Sequence, residues 1–444
     1  VTTGGSERLR IDSSGRVLIG TTTEGYADAD NLTIRDSGNC GMTIRSGTSN
    51  YGSVFFSDAT SGSGEYDGFV QYDHINQKLT FGAGASGAPK LSINSSSNSQ
   101  FTGIVTATEF VATSVQTGGR KNLIINGGMS IAQRGTAAVT VTSSASYKTV
   151  DRFKTDIDGS GGGDFSHAQS TDVPTGQGFR HSSVCTTVTQ ASQPSGTSNR
   201  NQFYTMLEKQ DIYHLEWGTS NAKTCTISFW VKGSVAGTYI LWFRHYGGTT
   251  HSYYTNYTID SANTWEKKTI TITGPTSGNN VALTEDQGLL IEWNLGTSSG
   301  NETGTLNEWT TSTTIRAAAG TVYLPENSGA TWYITGVQFE VGSNASAFEF
   351  RSFGEELALC QRYYYRLSGN KVVLFSPYDG SSSNFWAQIF LPTTMRTAPT
   401  ITVTGTASGS LASSASNPNQ LSFQSSSGAT HFNNSTIVEA SAEL

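Results

Sequence analysis

Through residues 1 to about 117, apolar and polar positions alternate in short bursts: Leu9-Arg10-Ile11, Leu32-Thr33-Ile34, Met42-Thr43-Ile44 and Leu91-Ser92-Ile93. Gly, Ser and Asn stand between them. A period of two places the apolar side chains on one face of a half-buried strand. Strands this short build no thick core alone, because a sheet with one apolar face needs a second layer over it. An identical chain is the simplest cover, and three copies closed about an axis also remove the exposed sheet edges. The alternative is a monomeric β-sandwich.

The nearly uncharged, β-branched stretch Gly103 to Thr113 dissolves into Gln116-Thr117-Gly118-Gly119-Arg120-Lys121, which sets a boundary near residue 117. Beyond it the pattern lengthens. Cys225 to Lys232, Thr238 to Phe243, Trp265 to Ile272 and Thr331 to Phe339 read as sandwich strands, with turn signals at Gly233-Ser234, Gly247-Gly248 and Gly274-Pro275. Residues 118–350 are therefore expected to form one jelly-roll β-sandwich with insertions.

A helix is predicted over 351–369. Ser352 with Glu355 makes a capping box, and Leu357, Cys360, Tyr364 and Leu367 form one narrow apolar stripe. Such a stripe fits a helix lying on a sandwich or a short three-helix neck. Strand patterns return over 370–444 (Lys371 to Phe375, Phe385 to Leu391, Thr400 to Val403, Leu421 to Phe423, Ile437 to Ala442), enough for a small C-terminal sandwich.

Charge changes the picture. Charged residues are 14% of the 444, against roughly 25% in ordinary globular proteins. Ser, Thr, Asn and Gly replace them, while 11% aromatic residues argue against disorder. The net charge of −7 speaks against nucleic-acid binding, which needs a basic footprint. No apolar run is long enough to span a membrane as a helix, so membrane insertion is not expected. Cys40, Cys185, Cys225 and Cys360 show no C-x-x-C spacing and read as buried thiols rather than a metal site. The chain opens on Val, which suggests a fragment or processed product whose missing N-terminal part would join other proteins.

Three stretches together resemble phage tail fibres of the marine and cyanobacterial type. Glu7-Arg8-Leu9-Arg10-Ile11-Asp12-Ser13-Ser14-Gly15 through Thr22 is similar to their repeat. Asn122-Leu123-Ile124-Ile125-Asn126-Gly127, Gln133-Arg134-Gly135-Thr136 and Asp151-Arg152-Phe153 resemble the opening of their carbohydrate-binding-module-like jelly roll. Phe348 to Tyr364 and the final Ser441-Ala442-Glu443-Leu444 resemble their distal part. The resemblance implies a homotrimeric virion component, extracellular after release from the host. It would attach to other tail proteins and contact a surface polysaccharide or outer-membrane receptor of a bacterium. Many such fibres end in an auto-cleaving chaperone, and nothing after Gly369 resembles one. That leaves trimerisation to the N-terminal strands and the Leu357 to Leu367 stripe. A calcium ion is possible by the resemblance, but no D-x-D-x-D loop supports it, so no cofactor or metal is expected.

No catalytic constellation is legible. The seven histidines (His74, His167, His181, His214, His245, His251, His431) lie in no H-E-x-x-H or comparable spacing, and Glu285-Asp286 and Glu355-Glu356 are merely adjacent. Binding is easier to motivate, because sugar C–H faces stack on aromatic rings while polar groups bond the hydroxyls. The densest such stretch runs from Trp242 to Tyr257. Alternation there puts Trp242, Arg244 and Tyr246 on one face against Phe243 and His245. The candidate ligand-binding residues are Arg244, His245, Tyr253, Tyr254 and Trp309, with Tyr378 and Trp386 at the C-terminal tip. The sequence thus predicts an all-β, elongated homotrimer with an intertwined N-terminal β-rod, a central jelly roll, a short helix and a small C-terminal sandwich. Its expected role is host-surface recognition without enzymatic activity; a tail-spike-like glycan depolymerase and a purely structural spacer are the alternatives.

Overall fold

The structure is a computed structural model, and it describes residues 1–3, 6–84, 88–96, 99–101, 121–142, 146–158, 163–196, 199–302, 305–311, 317–368, 376–377, 385–405, 407–408, 411–425, 431–432 and 436–444. The protein is all-β and divides into two compact units, Val1–Thr113 and Ser114–Leu444.

The first unit holds a three-stranded sheet (Leu9–Ile11, Val17–Ile19, Leu32–Ile34) and a five-stranded antiparallel meander running from Tyr51–Phe56 to Ser99–Phe101. Among its described residues the buried apolar side chains are Leu18 and Phe69, whereas Ile11 is 71% and Phe56 61% exposed. Met42–Ile44 does not form the expected strand; it lies in irregular chain with both apolar side chains exposed. The Gly103 to Thr113 stretch lies outside the described residues.

In the second unit, strands β1 (Val139–Val141), β2 (Phe153–Asp158), β3 (Asp164–Ser170), β4 (Ser182–Thr189), β5 (Arg200–Glu208), β6 (Thr224–Gly233), β7 (Gly237–Tyr246), β8 (Thr250–Ile259), β9 (Glu266–Thr273), β10 (Gln287–Thr297), β11 (Trp309–Thr310) and β12 (Thr331–Val341) build two antiparallel sheets. Their orders are β1-β3-β4-β12-β6-β9 and β2-β5-β10-β7-β8-β11. Odd positions of β7 (Tyr239, Leu241, Phe243) and their counterparts Tyr257, Trp293 and Phe203 meet Phe229, Trp332 and Phe339 of the other sheet in one continuous core.

The stretches that carry the family resemblance are architectural. Asn122 donates to the Val337 carbonyl and accepts from the Phe339 and Ile124 amides, which ties the entering chain to β12. A Cβ on Gly127 would stand 2.0 Å from the Val337 oxygen, so only glycine lets the two backbones approach. Asn126, in the left-handed region (φ 60°), bonds the Ile131 and Asp151 carbonyls. Arg152 is fully buried, pairs with Glu443 at 2.7 Å, donates to the Met206 carbonyl and lies 3.4 Å from the Tyr363 ring centre. Arg134 reaches both Asp151 and Glu443. Burial among these groups pushes the Asp151 carboxyl up to about 6 despite its cationic neighbour.

The helix is shorter than the sequence predicts. Ser352 caps α1 (Phe353–Gln361) by accepting from the Glu355 amide, but Tyr364–Leu367 is a strand paired with Ile437–Ser441. Tertiary anchors stop the helix: Arg362 and the Tyr363 hydroxyl both bond the buried Glu208 of β5. The stripe from Leu357 to Leu367 is therefore no seam for a three-helix neck, since its halves belong to different elements. The helix lies on the sandwich, with Cys360 buried.

Beyond α1, the sheet formed by Tyr364–Leu367, Ile437–Ser441 and Thr400–Thr404 and a four-stranded sheet around Phe385–Phe390 and Gln420–Ser425 enclose Met395, Leu421, Phe423, Val438 and Ala440. Lys371–Phe375 falls outside the described residues. Cys185, Cys225 and Cys360 are buried thiols as expected, but Cys40, in the irregular chain after Leu32–Ile34, is exposed, which corrects that part of the expectation. No helix among the described residues is long and apolar enough to cross a membrane, and no three potential metal ligands gather there.

Candidate functional site

The outer face of the β2-β5-β10-β7-β8-β11 sheet carries a row of chemically matched side chains. Register aligns Lys154 (β2), Tyr204 (β5), Glu292 (β10), Trp242 (β7) and Tyr254 (β8) across five strands. Directly opposed residues of an antiparallel pair share a face, so one row runs cation, aromatic, carboxyl, aromatic, aromatic. Flanking rows add Gln202, Asn294 and Ile240 on one side, and Met206, Leu290, Arg244 and Ser252 on the other.

Trp242 and Tyr254 are stacked 5.4 Å apart at 8°. The Arg244 guanidinium lies 5.9 Å from the Trp242 ring centre and 5.0 Å from that of Tyr246, while Arg200 approaches Trp242 from the other end at 6.0 Å. All three distances suit cation–π attraction. Alternation along β7 thus places Trp242, Arg244 and Tyr246 together, as the sequence predicts.

Leu306, in the connection before β11, and Ala317, after it, join the cluster of Ile240, Trp242 and Tyr254 and cover the middle of this face. Beneath that cover Glu292 accepts from Asn294 at 3.4 Å and from the Gln202 amide at 2.6 Å, once that amide is oriented to satisfy both its ends. Burial outweighs the pull of Arg200 and raises the Glu292 carboxyl to about 8. The face is open at its Tyr246 end. There Lys209, Tyr246, Asp286, Gln287, Arg396 and Glu443 line a cleft of about 430 Å³.

Three buried donors on this face have no partner among the described residues: the indole Nε1 of Trp242, Nε of Arg244 and the hydroxyl of Ser252. Arg244 and Ser252 are directly opposed, and Trp242 sits two residues before Arg244 on the same face. Orphaned buried donors cost free energy unless a ligand or water accepts from them.

The other expected residues are placed differently. His245 is fully buried on the core side against Trp217, so the expectation that it contacts ligand is corrected: alternation turns it away from Arg244. Burial lowers its titration to about 4. Tyr253 and Trp309 oppose each other at the core edge, rings 5.2 Å apart, with the Trp309 indole donating to the Thr273 carbonyl. Both pack against the core cluster and close the gap between the sheets. Trp386 lies in the strand Phe385–Phe390 opposite Ser376 and Gln424, away from this face in the sequence, and Tyr378 lies outside the described residues.

Sequence reasoning missed Tyr204, Arg200, Gln202 and Glu292. The Tyr204 and Glu292 patterns were legible as alternation within β5 and β10, but their register with Trp242 was not. It also missed a half-exposed aromatic group on the opposite sheet, where Trp265 and Tyr333 stand 6.1 Å apart beside Lys232. There the polar groups satisfy one another: Lys232 pairs with Asp172, which also accepts from the Trp265 indole at 3.0 Å.

Solved structures with a similar chain course include the enzymatically active domain of tailspike protein 4 of bacteriophage CBA120 (12% identity, TM-score 0.26). The match covers 50% of this chain and 21% of that one, so this chain spans about a fifth of its length. A xylan-binding domain from Paenibacillus barcinonensis (13% identity, TM-score 0.24) is matched over 42% of this chain and 91% of its own. A family 11 carbohydrate-binding module from Clostridium thermocellum (12% identity, TM-score 0.22) is matched over 46% and 99%. TM-scores this low carry no argument about ligand. No family model and no curated protein matches the chain.

Proposed function

We propose that the protein is a phage tail fibre whose central sandwich binds a polysaccharide of the host surface through the outer face of the β7-bearing sheet. The observation that carries this reading is the polar cleft at the open end of this face, where the half-buried Tyr246 ring, beside Arg244, stands with Lys209, Asp286, Gln287 and Arg396. Stacking surface beside hydroxyl-bonding groups is what a sugar ring requires.

The exposed apolar side chains of the first unit, Ile11, Phe55 and Phe56 among them, support a homotrimer in which identical chains supply the missing layer. Three heads on one fibre tolerate weak single contacts, because tethering raises the effective concentration of the second and third. Attachment to other tail proteins and an extracellular site of action after release belong to the same reading.

Binding without cleavage is the favoured chemistry. Glu292 holds its proton at neutral pH, but it is fully covered and both its oxygens are engaged, so it spaces the row rather than attacking a glycosidic bond. The purified chain, screened against bacterial capsular and lipopolysaccharide preparations, is expected to retain at least one of them and to release no new reducing ends. Retention of none would defeat the binding reading, and new reducing ends would establish a depolymerase instead.

A further inference from the structure

The stretches Ser130 to Thr136 and Phe348 to Glu356 also leave a groove on the surface of the second unit. Phe179, Phe348 and Phe350 meet edge to face, with ring centres 5.0 Å apart for Phe179 and Phe348 and 4.9 Å for Phe348 and Phe350. Together with Phe353, Arg180 and Glu356 they wall a cavity of about 380 Å³. Gly178, in the left-handed region (φ 83°), lets Phe350 lie against its backbone, since a Cβ there would stand 3.2 Å from the ring. The rim is open: Phe350 is 58% and Phe353 65% exposed. Phe353 also borders a second cleft of about 250 Å³, where Ser130, Gln133, Thr136 and Gln169 supply amides and hydroxyls. Large apolar side chains exposed next to one another mark a binding surface.

The polar groups around the rings narrow what fits. Oε1 of Glu356 accepts from the Asn126 amide and from Arg351, while its Oε2 accepts no hydrogen bond among the described residues. Arg180 is exposed and makes no hydrogen bond or ion pair among the described residues. The cavity thus presents apolar rings, one carboxylate acceptor and one guanidinium donor. A ligand carboxylate would face Glu356, and a ligand ammonium would face Arg180 and Arg351. A bare hydroxyl set against the rings would lose its water without a replacement bond. The matching group is neutral and carries a methyl, an N–H donor and a carbonyl acceptor close together, which describes an acetamido group.

We propose that this groove receives the acetamido group of an N-acetylated amino sugar. Its methyl lies against Phe179, Phe348 and Phe350, its N–H donates to Oε2 of Glu356 and its carbonyl accepts from Arg180. The sugar ring stacks on Phe353, with its hydroxyls toward Gln133, Thr136 and Gln169. The groove shares no lining residue with the cleft beside Tyr246, so it is a second site in the same unit.

Calorimetry of the full chain with tetra-N-acetylchitotetraose and with cellotetraose, which carries hydroxyls in place of the acetamido groups, tests it. The acetylated tetramer is expected to bind about tenfold more tightly, the factor that a hydrogen bond to a charged group supplies. Phe353→Ala and Arg180→Ala change exposed side chains and should each bring the two tetramers several-fold closer, with the melting temperature unchanged. If the tetramers bind alike, if neither binds, or if both variants keep the wild-type preference, the proposal falls. The reading of the cleft beside Tyr246 then still stands, because none of its residues is touched. If Phe353→Ala instead lowers the mass of the particle, a second copy of the chain fills the groove and the saccharide does not.

Discussion

Trp242 and Tyr254 stack face to face across β7 and β8, 5.4 Å between ring centres, and together form the apolar floor of the candidate site. Both are almost fully buried beneath Leu306 and Ala317, so the pair carries a structural load and supports the site from below. Trp242→Ala should cost about 3–5 kcal/mol of stability through the lost contacts and the cavity left behind. Trp242→Phe should cost much less. A denaturant titration separates the two, and equal stability for the alanine variant would show that this floor is not packed as described.

Glu443 joins two arginines, Arg134 and Arg152, the second fully buried. Removing one partner of a buried ion pair leaves an uncompensated charge and typically costs about 3–5 kcal/mol. Glu443→Ala is expected to lower the melting temperature of the second unit by several degrees or more, far beyond the effect of Glu308→Ala at an exposed position just before β11. Thermal unfolding followed by tryptophan fluorescence reads the difference.

Stability should also depend on pH through Glu292. Its carboxyl titrates at about 8 in the folded chain, against 4.5 as the ordinary value. Between those limits the folded state holds a proton that the unfolded state has released. Stability from this group is therefore fully present below about 4.5 and is lost as pH rises through 8. Glu292→Gln is neutral at every pH. Its stability relative to wild type should rise steadily from pH 5 to pH 8, by about 1.4 kcal/mol per pH unit at most. A difference that stays flat would mean that Glu292 is ionised in the fold.

How much of this could be read from the chain alone differs by element. The strands β6, β7, β9 and β12 were legible because their alternation is long and their turns are marked by glycine. Alternation also separated Trp242, Arg244 and Tyr246 from Phe243 and His245. The helix was overextended, because a spacing of three and four residues through Tyr364 and Leu367 looks helical until the bonds from Arg362 and Tyr363 to Glu208 are known. The site itself was half legible. Arg200, Tyr204 and Glu292 reach Trp242 only through the pairing of β5 and β10 with β7, strands that lie some forty to fifty residues away in the chain. Tyr253 and Trp309 misled for the opposite reason: polar, glycine-rich neighbours suggested an exposed loop, whereas their register turns both rings toward the core.

The assembly is tested by the mass of the particle. With Ile11, Phe55 and Phe56 exposed and only Leu18 and Phe69 buried among its described apolar side chains, the first unit should be stable only when copies cover it. Sedimentation equilibrium of the full chain is expected to return three times the chain mass. A monomer at micromolar concentration would contradict the trimer.

Glycan recognition by one named face is tested most directly by flowing the full chain over an immobilised host polysaccharide and comparing wild type with Tyr246→Ala and Trp265→Ala. Tyr246 borders the open cleft beside Arg244, while Trp265 stands on the opposite sheet. Truncating a true aromatic anchor typically costs more than about 2 kcal/mol, roughly thirtyfold in affinity, and its neighbours cost little. The expected result is that Tyr246→Ala loses retention with its melting temperature unchanged while Trp265→Ala binds like wild type. Retention that survives Tyr246→Ala but disappears with Trp265→Ala would contradict the assignment and move the binding surface to the other sheet.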